Sequence, residues 1–314
     1  LFRRVSFLSD KLIKWQPNLI HAHFGVDSVY ALKLASNLKV PLITTFHGYD
    51  ITTKKRSLFK APKPALINYF LYRKQLSKTA DLFICVSDFI KNKAIESGFP
   101  KEKLITHYIG IEIPEKNYYV NDTNKINILH VARLTEKKGT IYLLEAIALL
   151  NNKNIVLNII GDGPLNESLK KYVADNDLED NVCFLGSQPH KVVMEYMLKA
   201  DIFCLPSVTA SSGDSEGLGM VFLEAAVSSI PVVATKHGGI PEAVENGITG
   251  FLVPEKNSQA LADKFKLLIE SPELRKSMGQ AARLMVEEKF DIKKQSRKLE
   301  EIYNRVINAY HNSK

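Results

Sequence analysis

EKNYYVNDTNKINILHVARLTEKKG, residues 115–139, decides how this chain is divided. Its first half is polar and has no apolar periodicity, and its second half turns abruptly into INILHVA, followed by a charged loop. A short apolar run with polar borders reads as a buried strand of a parallel sheet. Upstream, LIHAHF (19–24), PLITTF (41–46), DLFICV (81–86) and KLITHYI (103–109) have the same character, with stretches at helical spacing between them. Downstream, INILHVA is followed by IVLNIIG, NVCFLG, DIFCLP, IPVVAT and GFLVP. Strands alternating with helical patterns define an α/β chain with parallel sheets. The polar stretch is the natural linker between two doubly wound domains, over residues 1–118 and 119–290, with a last helical segment over 291–314. Only a helix-like segment, VSFLSDKLIKW, precedes the four strands of the first domain. That domain is therefore expected to be incomplete, short of about 60 to 100 residues by usual domain sizes.

The bulk properties agree with two packed domains: 314 residues, 45% hydrophobic and 24% charged. No run approaches the roughly 18 to 20 apolar residues of a spanning helix, and no signal pattern opens the chain, so export is not expected. Cys85, Cys183 and Cys204 are odd in number, far apart and flanked by apolar residues, which reads as three buried thiols rather than a disulfide framework or a zinc site. The net charge of +8 is uneven. Residues 54–74, KKRSLFKAPKPALINYFLYRK, hold no acidic residue, and Phe59, Leu66, Ile67, Phe70 and Leu71 are interleaved with the basic ones. The stretch suits either an anionic membrane surface or a solvated helix whose apolar side packs on its own domain, with Pro62 and Pro64 at its start. No nucleic-acid-binding module surrounds it, so nucleic acid is not an expected partner.

Ligands of open parallel sheets sit beyond the carboxyl ends of the strands, and the residues of chemical interest fall there. His47 in TTFHGYD follows the second strand. Arg133 and Lys138 share the loop after INILHVA, where a planar fork and a compact cation suit a diphosphate, although a solvated loop is the plainer account of such a pair alone. After DIFCLP comes SSGDSEGLGMVFLEAA (211–226), in which MVFLEAAVSS reads as a helix and Glu216-Gly217-Leu218-Gly219 as the loop entering it. Free N–H groups at a helix start with small residues beside them form an anion site. Carboxylates there repel a phosphate, so Glu216 and Glu224 are better explained as acceptors for the hydroxyls of a sugar and a ribose. Their plain alternatives are helix-dipole stabilisation for Glu216 and a solvated helix face for Glu224.

In order, HAHFG, FHGYD, VSDFIKNKAIESG, ARLTEKKG, IIGDGPL, PSVTASSGDSEGLGMVFLEAA and HGGIPEAVENGITGFLVP resemble the retaining nucleotide-sugar glycosyltransferases of family 4. The run PSVTASSGDSEG also resembles the subgroup that builds bacterial exopolysaccharides such as colanic acid and amylovoran. The resemblance covers about residues 19 to 290. It implies two Rossmann-like domains facing a cleft, the B-type (GT-B) fold, with the final helix crossing back to the first domain. It also implies that Arg133 and Lys138 bind the donor diphosphate, that amides of Gly217, Leu218 and Gly219 hold sugar and phosphate oxygens, and that Glu224 accepts the ribose hydroxyls. Glu216 and His47 would act at the transferred sugar. The implied reaction is transfer of a hexose, with retention, from a UDP- or GDP-linked sugar to a glycan or lipid-linked saccharide, without a metal or other cofactor. The implied location is the cytoplasm, at the inner face of the membrane. A non-catalytic donor-binding or scaffold subunit of a polysaccharide assembly is the alternative from another class.

Among the remaining candidates, His21 and His23 are read as pointing to opposite faces of their strand, a poor arrangement for a shared metal. His130, His190 and His237 are read as loop or strand-end residues, only His237 being near the crevice. Ser87 suits a helix N-cap as well as a place beside the cleft.

Overall fold

A computed structural model of the chain describes residues 14–56, 63–115 and 125–312. The expected boundary at 118/119 and most of the polar linker lie outside the described residues, as do Phe59, Pro62 and nearly all of the N-terminal helix-like segment. The described residues form two compact units. All ten strands read from the sequence are present.

In the first unit β1 (Ile20–His23), β2 (Leu42–Phe46), β3 (Leu82–Cys85) and β4 (Leu104–Thr106) run parallel in sequence order. Every residue of β2 and β3 is buried, as expected of central strands covered on both faces. The helices of this unit are α1 (Gly25–Leu38), the single turn α2 (Tyr49–Thr52), α3 (Pro64–Thr79) and α4 (Asp88–Glu96). Pro64 opens α3 at a position where the missing N–H costs nothing, and Leu66, Tyr69 and Leu76 turn inward. The last helix, α12 (Ile292–Asn312), belongs to this unit from Lys293 onward: Val306 is buried with Ile43, Leu82 and Ile84, and Leu299, Ile302 and Tyr303 pack around them.

The second unit holds β5 (Ile126–Val131), β6 (Ile155–Ile160), β7 (Val182–Phe184), β8 (Ile202–Leu205), β9 (Val232–Thr235) and β10 (Gly250–Val253). Its sheet is parallel with the order β10-β9-β8-β5-β6-β7. From β5 the chain first builds outward through β6 and β7, then returns to the other side of β5 with β8. That reversal is the doubly wound arrangement, and its switch point lies between β5 and β8. Around the sheet lie α5 (Thr140–Leu150), α6 (Asn166–Asp175), α7 (His190–Lys199), α8 (Met220–Val227), α9 (Ile240–Ala243), α10 (Ser258–Glu270) and α11 (Pro272–Lys289). Leu143, Leu144, Ile147, Leu261 and Phe265 bury the inner faces of α5 and α10 against strand residues such as Ile128, Leu157 and Val233.

Two sequence expectations are corrected here. His130 is a core residue inside β5, where it donates from Nδ1 to the Cys204 carbonyl at 2.9 Å and meets Thr140 Oγ1 at 3.0 Å through Nε2. Cys183 is exposed, because β7 is an edge strand and its middle residue points outward, whereas Cys85 and Cys204 are buried.

Candidate active site

In the second unit two loops leave the carboxyl ends of β5 and β8 on either side of the switch point. The first carries Arg133, which is exposed, and closes with a 3-10 turn over Glu136–Lys138. Its backbone is held by the GDGP turn after β6. A Cβ on Gly161 (φ 135°) would stand 1.9 Å from the Ala132 carbonyl oxygen, and one on Gly163 would stand 2.4 Å from that of Leu134. Leu134 N–H also donates to the Asp162 carbonyl at 3.0 Å. Glycine is required in that turn because two backbones touch.

The two switch-point loops are stitched together. Val208 N–H donates to the Lys137 carbonyl at 2.7 Å, and Gly139 (φ 63°) lies so close to Pro206 that a Cβ would be 2.0 Å from its oxygen. The Glu136 carboxylate accepts the Ser211 N–H at 3.0 Å and the Ser211 hydroxyl at 2.9 Å. Glu255 does the same for Thr209, at 2.7 Å and 3.2 Å, while buried His237 bonds it through Nδ1 at 2.7 Å. Burial alone would raise the Glu255 carboxyl, but the Thr209 N–H and His237 outweigh it and hold the group below its usual range.

The β8 loop ends in α8, entered through Gly219 in a left-handed conformation (φ 86°) with Leu218 buried beside it. Glu224 lies in the second turn of α8, mostly buried, and its Oε1 is 3.3 Å from His190 Nε2 at the start of α7. His190 thus joins the site, although 34 positions separate it from Glu224 and no local pattern announces it.

The remaining candidates lie in the first unit, to which residues Ser212–Gly217 belong. Lys54 N–H donates to the Ser212 carbonyl at 3.0 Å, Ser215 N–H to Thr52 Oγ1 at 3.3 Å, and Ser87 Oγ to the Gly217 carbonyl at 2.6 Å. Ser87 also caps α4, accepting from Ile90 N–H at 3.2 Å. Gly217 rests on His47 itself, where a Cβ would be 2.1 Å from the His47 carbonyl oxygen. His47, Glu216 and Gly217 are therefore brought together here, whereas Arg133, Lys138, Leu218, Gly219 and Glu224 belong to the second unit.

His47 Nε2 is 2.9 Å from His23 Nδ1, and His21 stacks on His23 with centroids 4.6 Å apart. This corrects the reading of opposite faces, since residues two apart on a strand share a face. His21 is also bonded at 2.7 Å to both Tyr303 Oη and Thr45 Oγ1. Burial, then the neighbouring His23, pushes His47 down to about 4, so its imidazole is neutral at neutral pH. Beneath it, buried Asp50 accepts N–H bonds from Gly25 at 2.9 Å and Gly48 at 3.1 Å, tying together the turns that follow β1 and β2. Burial raises Asp50 to about 6 against those hydrogen bonds. Sequence reasoning missed Asp50, although an Asp at a turn, able to accept from backbone N–H groups close by as it does from Gly48, is a recognisable bracing pattern. Among the described residues no three His, Cys, Asp or Glu side chains are grouped to hold a metal ion.

Residues 112–285 match the family of glycosyl transferases group 1, and residues 1–114 match glycosyltransferase family 4. The chain is 36% identical over 291 residues to the amylovoran biosynthesis glycosyltransferase AmsK of Erwinia amylovora, covering 90% of this chain and 69% of that one. It is 34% identical over 249 residues to the putative colanic acid biosynthesis glycosyltransferase WcaL of Escherichia coli, covering 77% of this chain and 59% of that one. Its fold matches the crystal structure of Anabaena Alr3699/HepE in complex with UDP, with a TM-score of 0.81 and 23% identity over 96% of this chain and 83% of HepE. With the group 1 match alone spanning more than half its length, this chain belongs to the group 1 glycosyl transferases.

Proposed function

We propose that the protein transfers a hexose from a nucleotide-diphosphate sugar to a glycan or lipid-linked saccharide in cell-surface polysaccharide biosynthesis. The observation that carries this reading is the switch point between β5 and β8, flanked by the Arg133–Lys138 loop on one side and the start of α8 on the other. Cationic side chains and a helix start serve a diphosphate, and the mostly buried Glu224 serves paired ribose hydroxyls. The polysaccharide assignment is supported by the amylovoran and colanic acid relatives. HepE was solved with UDP and with UDP-glucose, which makes UDP-glucose the first donor to test.

The transfer proceeds with retention and without a metal ion. The bond from the anomeric carbon to the diphosphate breaks, the bond to the acceptor oxygen forms on the same face, and the hydroxyl proton passes to the leaving phosphate oxygen. Arg133, Lys138 and the amides of Gly217, Leu218 and Gly219 stabilise the charge that develops on the leaving group. Glu216 and His47 act at the sugar, and neutral His47 positions it through hydrogen bonds rather than as a cation.

Calorimetric titration of UDP-glucose, UDP-galactose and GDP-mannose, combined with product analysis by NMR, tests the reading. One donor should bind, and Glu224→Ala should weaken it by about 30-fold, the cost of about 2 kcal/mol for a lost charged hydrogen bond. The product should keep the anomeric configuration of the donor. Binding without transfer to any saccharide offered would favour a donor-binding subunit, and binding unaffected by Glu224→Ala would remove the site.

The proposed setting is the cytoplasm, at the inner face of the membrane; no helix among the described residues is long and apolar enough to cross one. On α3, Ile67, Leu71, Lys74 and Lys78 fall on one stripe, all exposed, and Leu71 is 71% exposed. Such a stripe suits an anionic lipid surface. The chain should sediment with phosphatidylglycerol vesicles and not with phosphatidylcholine vesicles. Lys74→Ala with Lys78→Ala should weaken that binding about 30-fold, at about 1 kcal/mol per charge. Equal sedimentation of parent and variant would rule the stripe out.

A further inference from the structure

Phe24, between β1 and α1, has φ 68° and ψ 138°. Bulky residues almost never take this conformation, and strain of this kind persists only where surrounding bonds over-determine it. Those bonds are present. Phe24 N–H donates to the Thr45 carbonyl at 2.8 Å, and the Phe24 carbonyl accepts from Ser28 N–H at 3.1 Å and Ser28 Oγ at 3.0 Å. The next residue, Gly25, is fixed by the buried Asp50 carboxyl.

What the strained backbone presents is a ring in a row of rings. Phe24 lies 4.5 Å from the His47 ring and 5.1 Å from Tyr49, and His23 lies 5.1 Å from His47. Phe24 and His47 are half-buried, Tyr49 is 38% exposed and His23 is exposed, so part of the row is open to solvent. Glycine would take this backbone conformation without strain, so the strain is spent on holding a flat apolar face beside an imidazole and a phenol. A pyranose has the matching chemistry, with apolar C–H faces for ring stacking and equatorial hydroxyls for hydrogen bonds to the tyrosine hydroxyl and the imidazoles.

We propose that Phe24 and Tyr49, beside His47, form an aromatic platform for a pyranose ring, that of the saccharide acceptor. The platform rests on the glycosyltransferase reading for its place in the reaction, but its existence can be tested alone. Saturation-transfer NMR on the full chain would use methyl α-D-glucopyranoside and methyl β-D-galactopyranoside, each with saturating UDP, with UDP-glucose as a separate arm and glycerol as a control without a ring. At least one methyl glycoside should receive saturation, and Phe24→Gly should weaken its binding about tenfold, as should Tyr49→Ser. UDP binding should be unchanged in both variants. Because glycine relieves the backbone, Phe24→Gly should melt within about 3 °C of the parent. Should Phe24→Gly fail to fold, Tyr49→Ser carries the test.

Saturation reaching only the UDP-glucose ring, and lost in the variants, would place the donor's sugar on the platform instead. Glycoside binding unchanged in both variants, or no greater than that of glycerol, would overturn the platform. Failure of the parent to bind UDP would count against the donor reading and leave the glycoside result standing by itself.

Discussion

Arg133→Ala combined with Lys138→Ala is expected to lower kcat/KM for the nucleotide sugar by more than about 1,000-fold. Each side chain would contribute about 2 to 3 kcal/mol through charge-assisted bonds to the diphosphate as its charge grows in the transition state. The loop that carries them is fixed by backbone contact with the GDGP turn and by Glu136 bonded to Ser211, so neither cation should be replaced by movement of a neighbour. Arg133→Lys keeps the charge and loses the planar fork, and should fall between, at roughly tenfold. Initial rates across UDP-glucose concentrations, with melting temperatures as the control for folding, decide the matter. A loss below about fivefold in the double variant would move the diphosphate elsewhere.

The second large effect is on stability in acid. His130 is completely buried, and burial pushes it down to about 4, with the Lys138 charge adding to the shift and the bond to the Cys204 carbonyl opposing it. In the unfolded chain the same imidazole takes a proton near 6.5. Its contribution is therefore fully present above about pH 6.5 and is lost as pH falls toward 4, because the unfolded state binds the proton first. At about 1.4 kcal/mol per pH unit the loss reaches about 3 kcal/mol. His21 and His47 are also held near 4 and act in the same direction, with smaller effects because solvent reaches them. Buried Asp50, raised to about 6, gains stability over the same fall in pH and opposes the decline, so urea denaturation at pH 8, 6, 5 and 4.5 is read as the difference between the parent and His130→Asn. His130→Asn, which retains a donor for the Cys204 carbonyl, should be less stable at pH 8 yet lose less on acidification. An equally steep decline in His130→Asn would assign the acid sensitivity to other groups.

The strands were the legible part of this chain. Parallel strands covered on both faces are largely apolar, so LFIC and IFCL stand out without knowledge of their neighbours. The order of the motifs was enough to indicate the family. What sequence reading missed depends on groups meeting across distance. Nothing local in SSGDSEG indicates that Ser212–Gly217 packs in the first unit, since its partners are Lys54, Thr52, Ser87 and His47. The His190–Glu224 pair depends on how α7 and α8 lie beside each other. The conformation of Phe24 is imposed by Thr45, Ser28 and Asp50 and leaves no compositional trace. The stacking of His21 on His23 was within reach, because period-two alternation puts i and i+2 on one face.

The helix that buries Val306 against Ile43, Leu82 and Ile84 also sets an order of events during synthesis. His21 and Tyr303, bonded in the finished fold, are 282 positions apart. At about 5 to 20 residues per second, the first sheet, complete at Thr106, waits on the order of 10 to 40 seconds for its cover after leaving the ribosome. Throughout that interval one apolar face of β2 and β3 is bare, in an expanse able to bind a chaperone or another nascent chain. Completion of the first unit therefore depends on that face staying free until α12 arrives.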